Sequence, residues 1–179
     1  MKKMMILLLG VLLILPVFGA TLDTTSLVLE SVVTGVAEIK ISDTSATTVS
    51  EYNSATEITS VSFSEGNLES GTLYFLVKTN KSLAMTIEIA PSHLISTGLD
   101  TVIAYDILSG GVVKASSSDA PVSTVIASLP ADTSSGLKVT ATDFEIKLLS
   151  DINGVTLNSF QRAIEGTYTT TLAIELKTP

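Results

Sequence analysis

Few side chains in this sequence could do acid–base or metal chemistry, and their spacing forms no catalytic or metal site. His93 is the only histidine, and no Gly-x-Ser-x-Gly motif surrounds any serine, so a Ser-His-Asp triad is not predicted. A zinc site needs several histidine, cysteine or carboxylate ligands at suitable spacing, and the chain has no cysteine. We therefore predict no catalytic residues, no cofactor and no metal site, and a protein that is not an enzyme.

Asp143 and Glu145 come nearest to a catalytic carboxylate pair, because an unbroken strand would place both on one face. A glycosidase needs two carboxylates that flank the sugar, usually above an aromatic platform, and this chain has no tryptophan. We interpret the pair as solvated charges on a strand face. The acidic stretch around Gly66 matches no calcium-loop spacing. Binding of a calcium ion between loop carboxylates in some other arrangement stays an open alternative.

Three tyrosines, Tyr74, Tyr105 and Tyr168, fall in apolar stretches that read as strands. They could form a ligand-binding stripe. Because their neighbours are apolar, we prefer the interpretation that they pack in the core or at its rim.

The N-terminus has the pattern of a cleaved signal peptide, residues 1–20. Lys2 and Lys3 precede a short apolar run, Ile6–Phe18, and small residues follow, with cleavage after Gly19 or Ala20. The alternative is a retained membrane anchor, but the run has about 13 residues, whereas a span needs roughly 20. We expect export to the periplasm, the cell surface or the medium, with no stable membrane anchor after cleavage.

The mature chain is strongly acidic. Without Lys2 and Lys3, eight basic residues face eighteen acidic ones, a net charge near −10. Such a chain repels phosphate backbones, so nucleic acid is excluded as an expected partner. The composition is rich in β-branched residues and poor in charges, as is typical of an exported all-β chain.

The clearest secondary-structure pattern is at the end of the chain, over residues 166–176. The side chains on one face are Tyr168, Thr170, Leu172, Ile174 and Leu176. This period of two predicts a strand with one face in a core. We expect that strand inside a sheet, because an apolar edge strand invites aggregation.

Other stretches predict further strands. Residues 72–90 have the pattern of a β-hairpin with a turn at Asn80–Ser82, and both faces of its first strand are apolar, which predicts a central strand. In residues 137–148 the apolar register slips by one at Asp143, which predicts a β-bulge. Residues 42–56 show no apolar period and predict a loop.

The recurring turn residues predict one all-β domain over residues 21–179, an antiparallel sandwich or small barrel of roughly eight to ten strands. No helical period extends over ten residues beyond the signal peptide.

The terminal stretch also resembles exported pilin-like subunits of bacteria, including chaperone–usher fimbrial subunits and spore-coat-protein-U-type domains. In pilins the last strand opens with a glycine near the fourteenth position from the end, which Gly166 occupies here. The resemblance implies an immunoglobulin-like β-sandwich with a groove at the terminal strand, formed by Gly166, Tyr168, Leu172, Ile174 and Leu176. The chain departs from pilins in having Thr178 as its penultimate residue, where tyrosine is usual, and no disulfide.

A second feature shared with pilins is an alternating apolar segment directly after the signal peptide, Ser26–Val33. In pilins such a donor strand fills the groove of a neighbouring subunit. The resemblance implies that role for Leu27, Leu29 and Val33, with Val28 or Val32 as further candidates. The alternative is that the segment pairs within its own domain.

These observations predict an exported structural or adhesive surface protein that acts through protein partners, by self-assembly or with other envelope subunits. Two other classes remain open from sequence. A small outer-membrane β-barrel would suit strands of about ten residues. A secreted carbohydrate-binding module would need an aromatic surface that the composition supplies poorly.

Overall fold

The computed structural model describes residues 35–118, 122–134, 136–150 and 159–178. All of them belong to one unit that begins at Gly35. The predicted signal peptide lies outside the described residues. The strands are β1 (Ala37–Ser42), β2 (Leu73–Thr79), β3 (Met85–Ala90), β4 (Leu94–Ile95), β5 (Val102–Ile103), β6 (Tyr105–Ser109), β7 (Val112–Ser116), β8 (Thr124–Leu129), β9 (Lys138–Leu148) and β10 (Ala173–Lys177). The helices are α1 (Val49–Ser54) and a 3-10 turn (Phe160–Arg162).

The strands form two main antiparallel sheets that pack on one core. The first has the order β1-β2-β9-β6-β7, the second β10-β3-β8, and β4 pairs with β5 alone. Strands β1 and β10 approach each other at one side of the sandwich, and β7 and β8 at the other, without pairing. The all-β, sandwich-like prediction is therefore confirmed.

The core lies between the two sheets. Phe75 on β2 and Phe144 on β9 are fully buried, and their rings stack with centroids 3.9 Å apart. Met85, Ile87 and Ile89 of β3 face them from the second sheet, alternating with half-buried residues. The apolar residues that alternate in the sequence are therefore those on the inner face of each sheet.

Strand β2 is buried on both faces, as its sequence predicts, because the second sheet covers its inner face and α1 covers Leu76 on its outer face. Strand β9 departs from the prediction at Asp143. Its register against β2 and β6 is continuous, so the predicted bulge is wrong. The apolar residues change face instead: Val139 packs on the outer face of the sheet, and Phe144 packs in the core.

The predicted hairpin over residues 72–90 is also wrong. Strand β2 belongs to the five-stranded sheet and β3 to the three-stranded sheet, so residues 80–84 cross between the layers. The Asn80 amide donates to the Val36 carbonyl, and the Asn80 side chain accepts from the Val36 amide. These bonds join the crossing to the residue before β1 rather than closing the predicted turn at Asn80–Ser82.

Helix α1 lies in the stretch that we predict as a loop. Thr48 and Glu51 form a capping box, and the Thr47 and Thr48 amides hold the pKa of Glu51 below its usual value. The helix buries Tyr52 against Leu76 of β2. It therefore covers the outer face of the five-stranded sheet.

Two lysines complete this outer layer. The ammonium groups of Lys40 and Lys78 lie 4.4 and 4.7 Å from the centroid of the Tyr52 ring. Lys40 also donates to the carbonyl oxygens of Tyr52 and Ala55, which end the helix. Cation–π contact and hydrogen bonding together hold α1 on the sheet.

Replacing the helix cap is expected to destabilise this outer layer measurably. Thr48→Ala removes the side chain that accepts from the Glu51 amide, which lies 3.2 Å away. We expect a loss of about 1 kcal/mol in the free energy of unfolding, measured by urea denaturation. Ser50→Ala, in the first turn but outside the capping box, is the matched control. Equal effects of the two changes would contradict a capping role.

Candidate functional site

An apolar groove of about 700 Å³ runs between the two sheets on the side where β1 and β10 approach each other. It is partly open to solvent. The first sheet contributes Ile41, Leu73, Tyr105, Phe144, Ile146 and Leu148 to its wall. The opposite wall consists of residues 166–172 and Ile174, and residues 58–63 also line the groove. A volume of this size accommodates several side chains.

Strand β10 borders the groove and is an edge strand. It pairs with β3 on one side, and no strand of the described residues pairs with its other side. The prediction that the terminal strand lies inside a sheet is therefore wrong for this part of the chain. An unpaired edge presents backbone N–H and C=O groups that can bind an added strand.

The terminal strand is also shorter than residues 166–176, and its length has a physical reason. Its partner β3 ends at Ala90, opposite Ala173, because Pro91 cannot donate to the ladder. Before Ala173 the chain leaves that sheet, and Thr169 instead exchanges two backbone hydrogen bonds with Ile95 of β4.

Four of the five residues predicted for the groove line it: Gly166, Tyr168, Leu172 and Ile174. Leu176 packs against the same core without lining the groove. Gly166 has a packing role, since a Cβ atom there would lie 2.9 Å from the Leu99 Cδ1 atom. A larger residue at this position would require the end of the Leu99 side chain to move.

The predicted tyrosine stripe divides between two sites. Tyr105 and Tyr168 line the groove, whereas Tyr74 packs on the outer face of the first sheet. The Tyr168 hydroxyl is fully engaged: it donates to the Ile164 carbonyl at 2.9 Å and lies 2.6 Å from the Thr101 hydroxyl. These bonds fix the chain where it approaches β10.

Tyr105 differs from Tyr168 because its hydroxyl is buried and has no hydrogen-bond partner of good geometry among the described residues. Its backbone is held by Ser117, whose hydroxyl accepts from the Tyr105 amide at 2.8 Å. Burial raises the pKa of the Tyr105 phenol, and the nearby Ser92 backbone offsets part of that rise. The hydroxyl nevertheless forms no hydrogen bond of good geometry with the described residues.

Charges lie on the solvent side of this edge. Lys177 of β10 is 2.8 Å from both Glu88 of β3 and Glu175, and these carboxylates raise the pKa of the Lys177 ammonium group. Lys177, with Ser123, lowers the pKa of Glu88. The groove itself is lined by apolar and hydroxyl side chains, so it suits an uncharged occupant.

The residues singled out for chemistry have structural contacts. Asp143 accepts from the Gly110 amide at 3.0 Å, and Glu145 accepts from the Thr72 hydroxyl at 3.1 Å. Within the described ranges, no group of three or more His, Asp or Glu residues is placed to hold a metal ion. Among the same residues, no helix has the length and apolar character that crossing a membrane requires.

The predicted donor residues Leu27, Leu29 and Val33 lie outside the described residues. What sequence reasoning missed at the site is the wall from the first sheet, such as Ile41 and Leu73, because the strand pairing that brings these residues to the groove is non-local.

Comparisons with protein-family models, curated proteins and solved structures give no match for this chain. The function is therefore argued from the groove and the edge strand.

Proposed function

We propose that the protein is an exported structural or adhesive subunit of a bacterial surface, and that its groove binds residues 26–33 of a second copy as an added strand. One observation carries the proposal: a partly open apolar groove lies directly beside the edge of β10 that pairs with no strand of the described residues. An extended segment with alternating apolar residues satisfies both features at once, since its side chains fill the groove and its backbone pairs with the edge.

Binding of such an occupant depends on three opposing contributions, and a preformed groove limits the ordering cost to the donor segment. Burying Leu27, Leu29 and Val33 contributes roughly 1.5–3 kcal/mol for each side chain. Ordering the backbone of the segment costs about 1–2 kcal/mol per residue. The backbone hydrogen bonds to β10 add to the side-chain term. Phe144, Leu148 and Ile174 already shape the groove, so the acceptor subunit has no additional ordering cost when the segment binds.

The strand order supports the immunoglobulin-like detail of this proposal. An immunoglobulin constant-type sandwich has strands A, B, E and D in one sheet and C, F and G in the other. The order β1-β2-β9-β6 corresponds to the first set, and the pair β3 and β10 corresponds to C and F. The place of strand G, beside β10, has no strand of the described residues. The added segment would occupy that place.

Tyr168 supports the same assignment. In immunoglobulin-like domains a tyrosine at the start of strand F donates from its hydroxyl to the backbone a few residues upstream. Tyr168 precedes β10 and donates to the carbonyl of Ile164, four residues earlier.

The test compares the mature chain, residues 21–179, with a chain that starts at Gly35. We expect the longer chain to form oligomers that migrate as a ladder in unheated gels and collapse to one band on heating. The shorter chain should be a monomer by light scattering. A mature chain that is a stable monomer at all concentrations would refute assembly by strand addition.

A further inference from the structure

A segment that lines the groove has the burial pattern of a strand but no strand partner. We call this segment, residues 58–63, the strap. Val61 and Phe63 are half-buried and pack against the core, whereas Ser60 and Ser62 are exposed. Alternation of this kind is typical of a strand that covers a core with one face. No ladder or isolated bridge joins the strap to the rest of the described residues.

Backbone hydrogen bonds fix the chain on both sides of the middle of the strap. At its start, the Ile58 amide donates to the Ile41 carbonyl of β1 at 2.9 Å. Beyond its end, the Leu68 carbonyl accepts from the Leu148 amide of β9 at 2.8 Å. Residues 59–63 make no backbone–backbone hydrogen bond with the described residues. Side-chain packing therefore holds this part of the strap, and its amides and carbonyls can bind an added segment.

The other backbone that borders the groove is likewise bonded on one side only. Strand β10 pairs with β3, and before it Thr169 exchanges two backbone hydrogen bonds with Ile95 of β4. The remaining side of this chain pairs with no strand of the described residues. The groove is thus bordered by two backbones that each lack a partner among the described residues, the strap and the chain that leads into β10.

An extended segment in the groove must satisfy hydrogen-bonding groups on both of its sides. Its successive residues point their N–H and C=O groups in opposite directions, so pairing with β10 uses half of them. The other half would be buried beside the apolar wall, and buried backbone groups without partners are unfavourable. The strap offers backbone groups that the described residues leave unbonded, and it has no charged side chain. Its Thr59, Val61 and Phe63 are of types that favour strands.

We propose that residues 26–33 of a second copy pair with the strap on one side and with β10 on the other. This inference rests on the proposed function and assigns the added segment a second partner in the same groove. Because side-chain packing already holds the strap, the pairing adds backbone hydrogen bonds without ordering the strap anew. The added segment then lies between two backbones, so neither of its sides is left as an open edge.

Hydrogen exchange of the mature chain, measured by mass spectrometry, tests the strap directly. Gel filtration separates monomers from heat-labile oligomers, and each pool is exchanged at the same temperature and pH. We expect the amides of residues 59–63 to exchange at least about tenfold more slowly in the oligomer than in the monomer, together with those of residues 169–177. Slower exchange of residues 169–177 alone would overturn pairing with the strap and leave the proposed function intact. Absence of oligomers, or equal exchange of both segments in the two pools, would overturn the proposed function and this inference with it.

Proline variants distinguish pairing from simple cover by the added segment. Thr59→Pro and Ser60→Pro each remove one strap amide, and neighbouring amides of an extended chain point to opposite sides. One of the two changes should therefore speed dissociation of preformed oligomers about five- to tenfold, and the other should have less effect. Thr59→Ala and Ser60→Ala keep the amides and are the matched controls, expected within about twofold of the unchanged protein. Thermal unfolding of each variant verifies that the fold is retained. Dissociation no faster with either proline than with its alanine control would overturn pairing with the strap.

Discussion

Mature chains that carry both Leu27→Asp and Leu29→Asp are expected to remain monomeric at concentrations where the unchanged chain forms heat-labile oligomers. Each leucine contributes roughly 1.5–3 kcal/mol when it is buried. Losing both weakens association at least about a hundredfold. An aspartate in the groove adds the cost of a buried charge without a partner, because the groove wall offers apolar and hydroxyl side chains. Light scattering after gel filtration, with unheated gels, measures the result.

The matched control is Thr24→Asp with Thr25→Asp. It makes the same change in charge just before the alternating segment, where no apolar side chain is lost. This control should still form ladders. Monomers from both double variants would mean that added negative charge prevents assembly, and the groove would then have no demonstrated occupant.

A mixing experiment separates the two ends of the interaction. A chain with a defective donor segment keeps its groove, so it can accept a strand but cannot provide one. Added in small amounts during assembly, it should shorten the ladders in proportion to its concentration. Ladders of unchanged length would contradict the proposal, because an intact groove must compete for donor segments.

The inner faces of the strands could be predicted from sequence because side-chain alternation depends only on local geometry. Leu73, Phe75 and Val77 alternate in sequence and lie on one buried face in the structure. The double-sided apolar character of β2 was also informative, because the second sheet covers its inner face and α1 covers its outer face.

The assignment of strands to sheets could not be predicted in the same way. A turn at Asn80 followed by a second alternating run is compatible with a hairpin and with a crossing between layers. The two differ in which edges pair, and pairing is decided by non-local contacts such as Thr79 with Ala37 and Lys138. The same limit applies to β10. Whether it is an edge strand depends on whether another strand pairs with the side that faces away from β3, and the sequence of β10 does not determine that.

The outer layer shows a further limit of periodicity. The change of apolar register at Asp143 has two physical explanations, a bulge or a strand that packs on both faces at different levels. The structure has the second, because α1 covers Val139 and Ala141 from outside. The Thr48-x-x-Glu51 capping box was the available signal for that helix. A helix of six residues has too few turns to show an apolar period, so periodicity alone predicts a loop there.

The candidate groove was partly predictable. Gly166, Tyr168, Leu172 and Ile174 were identified through their position near the end of the chain, and all four line the groove. The opposite wall includes residues far earlier in the chain, such as Leu73 and Ile41, which precedes Gly166 by 125 positions. A cavity depends on how two walls are separated, and a sequence pattern describes one wall at a time.

Phe75→Ala is expected to cause the largest loss of stability of any single change in this fold, about 3–5 kcal/mol in the free energy of unfolding. Both rings of the stacked pair Phe75 and Phe144 are 0% exposed, with an interplanar angle of 11°. Removing one ring leaves a cavity between the two sheets that neighbouring strands cannot fill without breaking their pairing. The loss is a large fraction of the 5–15 kcal/mol that typical domains possess. Urea denaturation of the mature chain measures it.

Leu83→Ala is the control, because Leu83 is 60% exposed in the crossing between β2 and β3. Its effect should stay within about 0.5 kcal/mol. The two phenylalanines also allow effects on stability to be distinguished from effects on binding. Phe75 lies in the core without lining the groove, whereas Phe144 lies in the core and lines the groove. Phe144→Leu should therefore weaken strand addition beyond its effect on unfolding, and Phe75→Leu should not. Equal effects of the two leucine changes on dissociation of the oligomers would mean that the groove responds to core packing as a whole.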